Sequence, residues 1–154
     1  MISTQDYLWF VDNALDGLVA ALEQLGDDLA NTRLDTPGAN SPYAVVTHCL
    51  GVMEFWGGYA LAGRSIERDR DAEFRASGEV AALVGRLRQA REQLVADLDT
   101  LDAAAPARGR LDDDDTSLPL GRTQGAVLLH LYEELAQHLG QLEVTRDVLL
   151  ASAR

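Results

Sequence analysis

Two histidines and one glutamate recur at four-residue intervals in the stretch VLLHLYEELAQHLGQ, residues 127–141, which otherwise has the apolar pattern of a buried helix. On a helix, positions four apart lie on one face about 6 Å apart along the axis, so Glu134 can face the same point as His130 or as His138. The two histidines are separated by about 12 Å of helical rise. Because bonds from nitrogen or oxygen to a metal are about 2.0–2.2 Å long, the two histidines do not easily share one ion. A metal site in this helix would therefore use one end of the run.

A third ligand for such a site is His48, which lies in a second apolar stretch, YAVVTHCLGVMEFWGG. His48 would complete a set of two imidazoles and one carboxylate with Glu134 and either His130 or His138. Such a set leaves one or more coordination positions open for water or substrate, which is typical of catalytic rather than structural metal sites.

The alternative interpretation is that Glu134 is solvated and that His138 is a half-buried, hydrogen-bonded residue. For a single Glu–His pair of this spacing, that alternative is the commoner one. Two features favour the metal. All three histidines fall in segments predicted to line the core, and Glu134 lies beside Leu131 and Leu135, where a lone carboxylate is expensive to bury.

Four segments of helical period position these residues. Ser3 or Thr4 is a suitable cap for the first segment, Ser41 for the second and Thr123 for the last, and Gly26 is expected to end the first. Apolar residues recur at three- and four-residue steps within each segment. This pattern predicts helices over about residues 4–25, 42–61, 79–101 and 123–150.

Four helices of about 20 residues predict an all-α fold, a four-helix bundle about 30 Å long with long connections between helices 2–3 and 3–4. The connection at residues 63–78 is interpreted as a loop with, at most, a short helical turn. Residues 1–154 are expected to form a single domain. Bundle cores commonly hold metals between facing helices, which agrees with a site built from helices 2 and 4.

Composition limits the class of partner. The net charge is −12, so nucleic acid is not an expected partner, because an acidic surface repels phosphate backbones. Hydrophobic residues make up 47% of the chain, but no apolar run reaches the roughly 20 residues of a membrane span. The N-terminal residues lack the pattern of a signal peptide, and the single cysteine suits a reducing compartment, so we expect a cytoplasmic location without membrane binding.

Two stretches carry a family resemblance. HLYEELAQHLGQLEVTR resembles the last helix of the DinB-like superfamily, and PYAVVTHCLGVMEFW resembles its second helix, which carries the first metal histidine. In the mycothiol branch, which includes the metal-binding domain of mycothiol-dependent maleylpyruvate isomerase, a glutamate and a histidine four residues apart supply two ligands. The resemblance therefore implies His48, Glu134 and His138 as metal ligands and leaves His130 as a neighbour. That isomerase has an additional C-terminal domain, whereas this chain ends at Arg154, so we expect the activity of stand-alone mycothiol S-transferases.

The resemblance implies a metal-dependent thiol S-transferase that activates a low-molecular-weight thiol, with mycothiol as the implied thiol, for attack on an electrophilic small molecule in detoxification. Zn²⁺ is the expected cofactor, and Ni²⁺, Fe²⁺ or Mn²⁺ suits the same ligands. Two alternatives remain open. One is hydrolysis by metal-activated water. The other is a non-enzymatic, metal-binding or stress-associated bundle that forms a homodimer.

Three further residues near the predicted ligands have a structural and a functional interpretation. Cys49 follows His48 directly, and adjacent helical residues point about 100° apart, so we expect Cys49 to pack in the core. Gln141 either hydrogen-bonds a metal ligand or packs as an ordinary polar residue. Arg146 is expected to pair with Glu143 or with a carboxylate on another helix.

Three aromatic residues, an arginine group and an aspartate run complete the candidates. The aromatic residues are expected in the core rather than at a substrate platform. The arginines either hold an anionic substrate or belong to a solvated loop, and the run DDDD at 112–115 lacks the spacing of a calcium loop and is expected to be an exposed connection. The aromatic residues are Trp9, Phe55 and Trp56, and the arginines are Arg64, Arg68, Arg70 and Arg75.

Overall fold

The computed structural model describes residues 3–110 and 122–153, so the aspartate run at 112–115 lies outside the described residues. Within these ranges every regular element is helical, and β-structure is limited to one isolated bridge between Pro106 and Thr123. The predicted all-α fold is confirmed, and the arrangement is compatible with a four-helix bundle. The elements are α1 (Thr4–Ala30), α2 (Pro42–Val52), a π-helical segment that continues α2 (Met53–Leu61), α3 (Arg70–Glu73), α4 (Val80–Leu98) and α5 (Gln124–Ser152).

Helix α1 begins where the sequence predicts and extends past its predicted end. The Ser3 side chain accepts a hydrogen bond from the Asp6 backbone N–H at 3.0 Å, which satisfies one of the unpaired donors of the first turn. Gly26 has φ 65° and ψ 178°, so the regular helix is interrupted there. Glycine adopts positive φ without a steric penalty, and the chain resumes helical geometry as far as Ala30.

Helix α2 occupies the middle of the bundle. Ser41 caps it by accepting from the Ala44 backbone N–H, and Pro42 lies in its first turn. The following π-helical segment ends at Leu61, the predicted end of the second helix. Nearly every residue of α2 is buried, because α1, α4 and α5 all pack against it. A polar side chain on α2 is therefore surrounded by protein.

Helices α4 and α5 close the bundle. Helix α4 packs against α1, α2 and the π-helical segment, and α5 packs against α1, α2 and the same segment. Thr123 caps α5 by accepting from the Ala126 backbone N–H. Leucines fill the space between the helices at the expected three- and four-residue steps. Those with almost no exposed surface include Leu18, Leu22, Leu50, Leu83, Leu87, Leu94, Leu131, Leu135 and Leu142.

One aromatic prediction is wrong. Trp56 is buried as expected and Phe55 is half-buried, but Trp9 is 63% exposed. The physical reason is helical phase, because Trp9 lies outside the apolar stripe of α1 that includes Val11 and Leu15. In the described part of the chain, no helix has both the length and the apolar character that crossing a bilayer requires.

Candidate metal centre

The three predicted ligands lie together between α2 and α5. The Nε2 atom of His48 is 3.3 Å from Oε2 of Glu134, and the Nε2 atom of His138 is 3.3 Å from the same oxygen. One donor atom from each residue lies within 4.8 Å of the other two, an arrangement that allows the group to hold a metal ion. The two imidazole rings meet edge to face with centroids 4.8 Å apart. Packing of α2 against α5 therefore joins residues that are 86 positions apart in the chain.

Each imidazole has a hydrogen-bond acceptor on its outer side. Nδ1 of His48 lies 2.8 Å from Oε2 of Glu73, and Nδ1 of His138 lies 2.9 Å from Oε1 of Gln141. An acceptor at Nδ1 favours a proton on that nitrogen, which leaves Nε2 with a lone pair unless the ring is doubly protonated. The two Nε2 atoms and the Glu134 carboxylate oxygen therefore need a proton or a cation between them.

The pKa shifts of Glu134 and His138 also indicate that a positive charge is favoured between these residues. The hydrogen bond from His138, followed by that from His48, holds the pKa of the Glu134 carboxyl well below its usual range. The same contact with Glu134 raises the pKa of the His138 imidazole. Glu134 is therefore ionised at neutral pH, and its negative charge attracts either a proton or a metal cation to the adjacent nitrogen atoms.

Glu73 contacts His48 from α3, and the sequence interpretation missed it because it lies in the irregular connection after the π-helical segment. Its side chain is only 9% exposed, and Arg68 donates to both carboxylate oxygens, from Nε to Oε1 at 2.7 Å and from Nη2 to Oε2 at 3.0 Å. The carboxylate lies directly over Gly51, where a Cβ atom would overlap it. Gly51 is the available sequence signal, because glycine inside a helix often marks the close approach of another group.

An aromatic ring covers one face of His48. Phe74 stacks on the imidazole with centroids 4.6 Å apart and an interplanar angle of 23°. The Arg70 guanidinium lies over the Phe74 ring, 5.2 Å from its centroid. This stack shields one side of His48 from solvent while His138 and Glu134 keep partial exposure.

The arginines of the connection do not act as one group. Arg64 pairs with Asp97 on α4, and Arg68 pairs with Glu73. Arg70 lies over Phe74, and Arg75 is exposed. The interpretation as a solvated loop is therefore wrong for Arg64 and Arg68, whose charges are partly buried against carboxylates because the connection folds back onto α2 and α4.

His130 occupies the position expected for a neighbour. Its Nε2 atom is 3.8 Å from Oε1 of Glu134, whereas the other two histidines contact Oε2, and its Nδ1 atom is 3.3 Å from Glu133. Its ring meets Trp56 edge to face, with centroids 4.6 Å apart. The three residues whose donor atoms come together are His48, Glu134 and His138, which we call the donor group. His130 lies beside this group.

Predictions for the remaining polar residues near the site have different outcomes. Cys49 is fully buried, as expected for a packed residue, and burial raises the pKa of its thiol. Gln141 contacts His138, so its role as a hydrogen-bond partner is favoured over plain packing. Arg146 pairs with its neighbour Asp147, so the predicted pairing with Glu143 or another helix is wrong. Both Arg146 and Asp147 lie on α5, and the adjacent carboxylate is within reach without a partner helix.

An all-helical fold that brings two imidazoles and one carboxylate together between facing helices agrees with a protein of the DinB-like class. The sequence model of the mycothiol S-transferase family matches residues 7–150, and the chain belongs to this family. A comparison with curated proteins finds no match.

Proposed function

We propose that this protein is a metal-dependent thiol S-transferase that uses mycothiol, with Zn²⁺ held by His48, Glu134 and His138. The observation that carries the proposal is the convergence of two imidazole Nε2 atoms on one carboxylate oxygen, at 3.3 Å each, in a member of the mycothiol S-transferase family. Family membership supports mycothiol as the thiol, and the donor group supports the binding of a cation.

The donor set fits a divalent cation. Two ligand atoms on bonds of about 2.1 Å at a tetrahedral angle are about 3.4 Å apart, which agrees with the 3.3 Å separations between Glu134 and each histidine. Two imidazoles and a carboxylate suit Zn²⁺ and leave at least one coordination position for another molecule. Glu73 and Gln141 support this role because they hold the Nδ1 protons away from the site.

When bound, the cation would favour the deprotonated form of a thiol, whose pKa in free solution is about 8.5. The chain's own residues prepare the site for that chemistry. Glu134 contributes an ionised carboxylate, Glu73 and Gln141 orient the two imidazoles, and Phe74 excludes water from one face of His48.

The nucleophilic sulfur must come from the cosubstrate. Cys49 is the single cysteine of the chain, has no exposed surface, and has a pKa raised by burial. In the proposed transfer, the cosubstrate sulfur forms a bond to the electrophilic carbon, the leaving group departs with its bonding electron pair, and the thiol proton passes to solvent. No covalent intermediate on the protein is required.

Metal content and thiol transfer should be measured together on three proteins: the wild type, His138→Gln and His130→Gln. The two histidines are a matched pair, since each lies four residues from Glu134 on α5 and only His138 belongs to the donor group. We expect near-stoichiometric metal, and transfer of mycothiol to a chromogenic aryl halide, in the wild type and His130→Gln. We expect loss of both in His138→Gln.

Three results would point to other functions. Cleavage of an ester or amide panel without any dependence on thiol would indicate a hydrolase. Metal binding with glutathione or cysteine accepted as readily as mycothiol would contradict the thiol assignment. A wild-type protein that retains no metal and whose stability is unchanged by added Zn²⁺ would favour the non-enzymatic bundle.

A further inference from the structure

We infer that Glu73 is a positioning residue of the candidate metal centre, which holds His48 in the tautomer and ring orientation that present Nε2 to the cation. This inference rests on the proposed function, since it assigns a role to Glu73 only if the donor group binds metal. Glu73 does not itself belong to the donor group. It acts on that group through the 2.8 Å contact between its Oε2 atom and Nδ1 of His48.

Burial makes the contact specific. His48 is 3% exposed and Glu73 is 8% exposed, so water does not compete for Nδ1. The Nη2 atom of Arg68 also lies near Nδ1, at 3.4 Å, but the 2.8 Å contact with Glu73 is the shorter one. An ionised carboxylate in such a place is costly unless it is paired and hydrogen-bonded, and Arg68 provides two N–H donors to it. Arg68 thus holds the carboxylate, and the carboxylate holds the imidazole.

The backbone of α2 is adapted to the same contact. Gly51 lies three residues after His48, on nearly the same helix face, and its missing Cβ leaves the space that the Glu73 carboxylate occupies. Glycine destabilises a helix interior relative to alanine, so its presence in a buried helix needs a reason. Close approach of Glu73 supplies that reason.

The chemical consequence concerns the lone pair of Nε2. A carboxylate that accepts the Nδ1 proton makes the imidazole more basic and prevents rotation of the ring, and loss of such a partner typically weakens metal affinity by about 10–100-fold. Gln141 provides only a neutral acceptor to His138, from an exposed position. We therefore expect the Glu73 contact to have the larger effect on the site.

The test compares Glu73→Gln with Asp97→Asn. Both substitutions neutralise a buried carboxylate that pairs with an arginine of the same connection, but Asp97 contacts Arg64 and Gln93 and not the site. Zn²⁺ affinity is measured by competition with a chromogenic chelator, and the thermal midpoint of each metal-free protein is recorded beside it. We expect Zn²⁺ affinity to fall by about tenfold or more in Glu73→Gln. In Asp97→Asn it should stay within about twofold of wild type, although both variants lose stability.

A second measurement needs only the wild-type protein. Nitrogen-15 NMR of the histidine rings in the Zn²⁺-loaded protein should show His48 with a protonated, hydrogen-bonded Nδ1 and a metal-bound Nε2. The opposite tautomer would overturn the inference even if Glu73→Gln does not fold. Equal Zn²⁺ affinity of wild type and Glu73→Gln would overturn the inference and leave the proposed function standing. Failure of the wild type to bind Zn²⁺ would remove both.

Discussion

Two arginine–carboxylate pairs hold the connection between the π-helical segment and α4 against the bundle, and they differ in what the carboxylate touches next. In the first pair, Arg68 binds Glu73, whose Oε2 atom also contacts His48. In the second, Arg64 and Gln93 both bind Oδ1 of Asp97, and Oδ2 has no hydrogen-bond partner in the part of the chain that the structure describes. Burial of the carboxylate is nearly the same in both pairs.

The comparison shows that a buried ion pair does not by itself mark a functional site. Arg64 and Asp97 attach the connection to α4, and the hydrogen-bond partners of Asp97 are Arg64 and Gln93 rather than a residue of the donor group. Arg68 and Glu73 attach the same connection to α2, and the Oε2 atom of Glu73 also contacts an imidazole of the donor group. The two pairs differ in the third residue that contacts the carboxylate, His48 for Glu73 and Gln93 for Asp97, rather than in charge or burial.

The largest expected effect comes from Gly51→Ala. The added Cβ would overlap the Glu73 carboxylate, so the carboxylate must shift from the position in which it contacts Arg68 and His48. If the shift breaks this buried pair, the free energy of unfolding should fall by about 3–5 kcal/mol. Urea denaturation of the metal-free protein measures the loss.

Gly85→Ala is the matched control for that substitution. Gly85 also lies inside a helix, α4, and nothing lies within 4 Å of its added Cβ. This variant should be more stable than wild type by about 0.5–1 kcal/mol, because alanine is the better helix former. If both variants lost or gained the same free energy, close packing of Glu73 on Gly51 would not be the cause.

The next effect is stabilisation by metal. At a free Zn²⁺ concentration of about 100 times the dissociation constant, wild type and Asp97→Asn should gain about 2.7 kcal/mol, because Zn²⁺ binds the folded state. For a chain of this length that gain corresponds to roughly 5–10 °C in the unfolding midpoint. His138→Gln should gain little, and a chelator should reverse the gain. An equal gain in His138→Gln would place the binding site elsewhere.

A smaller effect is expected for Asp97→Asn without metal. The substitution keeps the side-chain volume but weakens the charge-assisted hydrogen bonds from Arg64 and Gln93, which should cost about 2 kcal/mol. Arg64 is 38% exposed, so its charge can be hydrated when the partner is neutral. Chemical denaturation measures the loss. A large decrease in Zn²⁺ affinity in the same variant would contradict the distinction between the two pairs.

The smallest expected effect is a pH dependence of the unfolding free energy that arises from Glu134 and His138. In the metal-free protein, the lowered pKa of Glu134 contributes stability above the ordinary carboxyl pKa of about 4.3, and this is lost as pH falls through the lowered value. The raised pKa of His138 contributes stability below the ordinary imidazole pKa of about 6.5, and this is lost as pH rises through the raised value.

The two groups together therefore stabilise the metal-free protein most between about pH 4.3 and pH 6.5. Both are partly exposed, so the decline above that range should stay below about 1 kcal/mol. Unfolding free energies in a chelating buffer at several pH values measure it, with His138→Gln and Asp97→Asn as the compared variants. The decline in stability should vanish in His138→Gln and persist in Asp97→Asn. If it persisted in both variants, the decline would come from other groups.

Much of the helical framework is predictable because its causes are local. Ser41 and Thr123 cap their helices as expected, since a hydroxyl within three residues satisfies a free N–H in any context. The exposed position of Trp9 and the pairing of Arg146 with Asp147 were not predicted. The first depends on the phase of α1 against the bundle, and the second on which carboxylate is nearest once the helix is packed.

The sequence by itself determined that His130, Glu134 and His138 share one face of a helix and that His48 lies in another core helix, because helical rise and apolar periodicity are properties of neighbouring residues. Local spacing left open which histidine of α5 joins Glu134 and His48. The family resemblance favoured His138, and only the tertiary structure brings Nε2 of His48 and Nε2 of His138 to the same Glu134 oxygen. It also places Glu73, 25 residues after His48, against the imidazole of that histidine, since such a contact depends on long-range packing that leaves no periodic pattern in the chain.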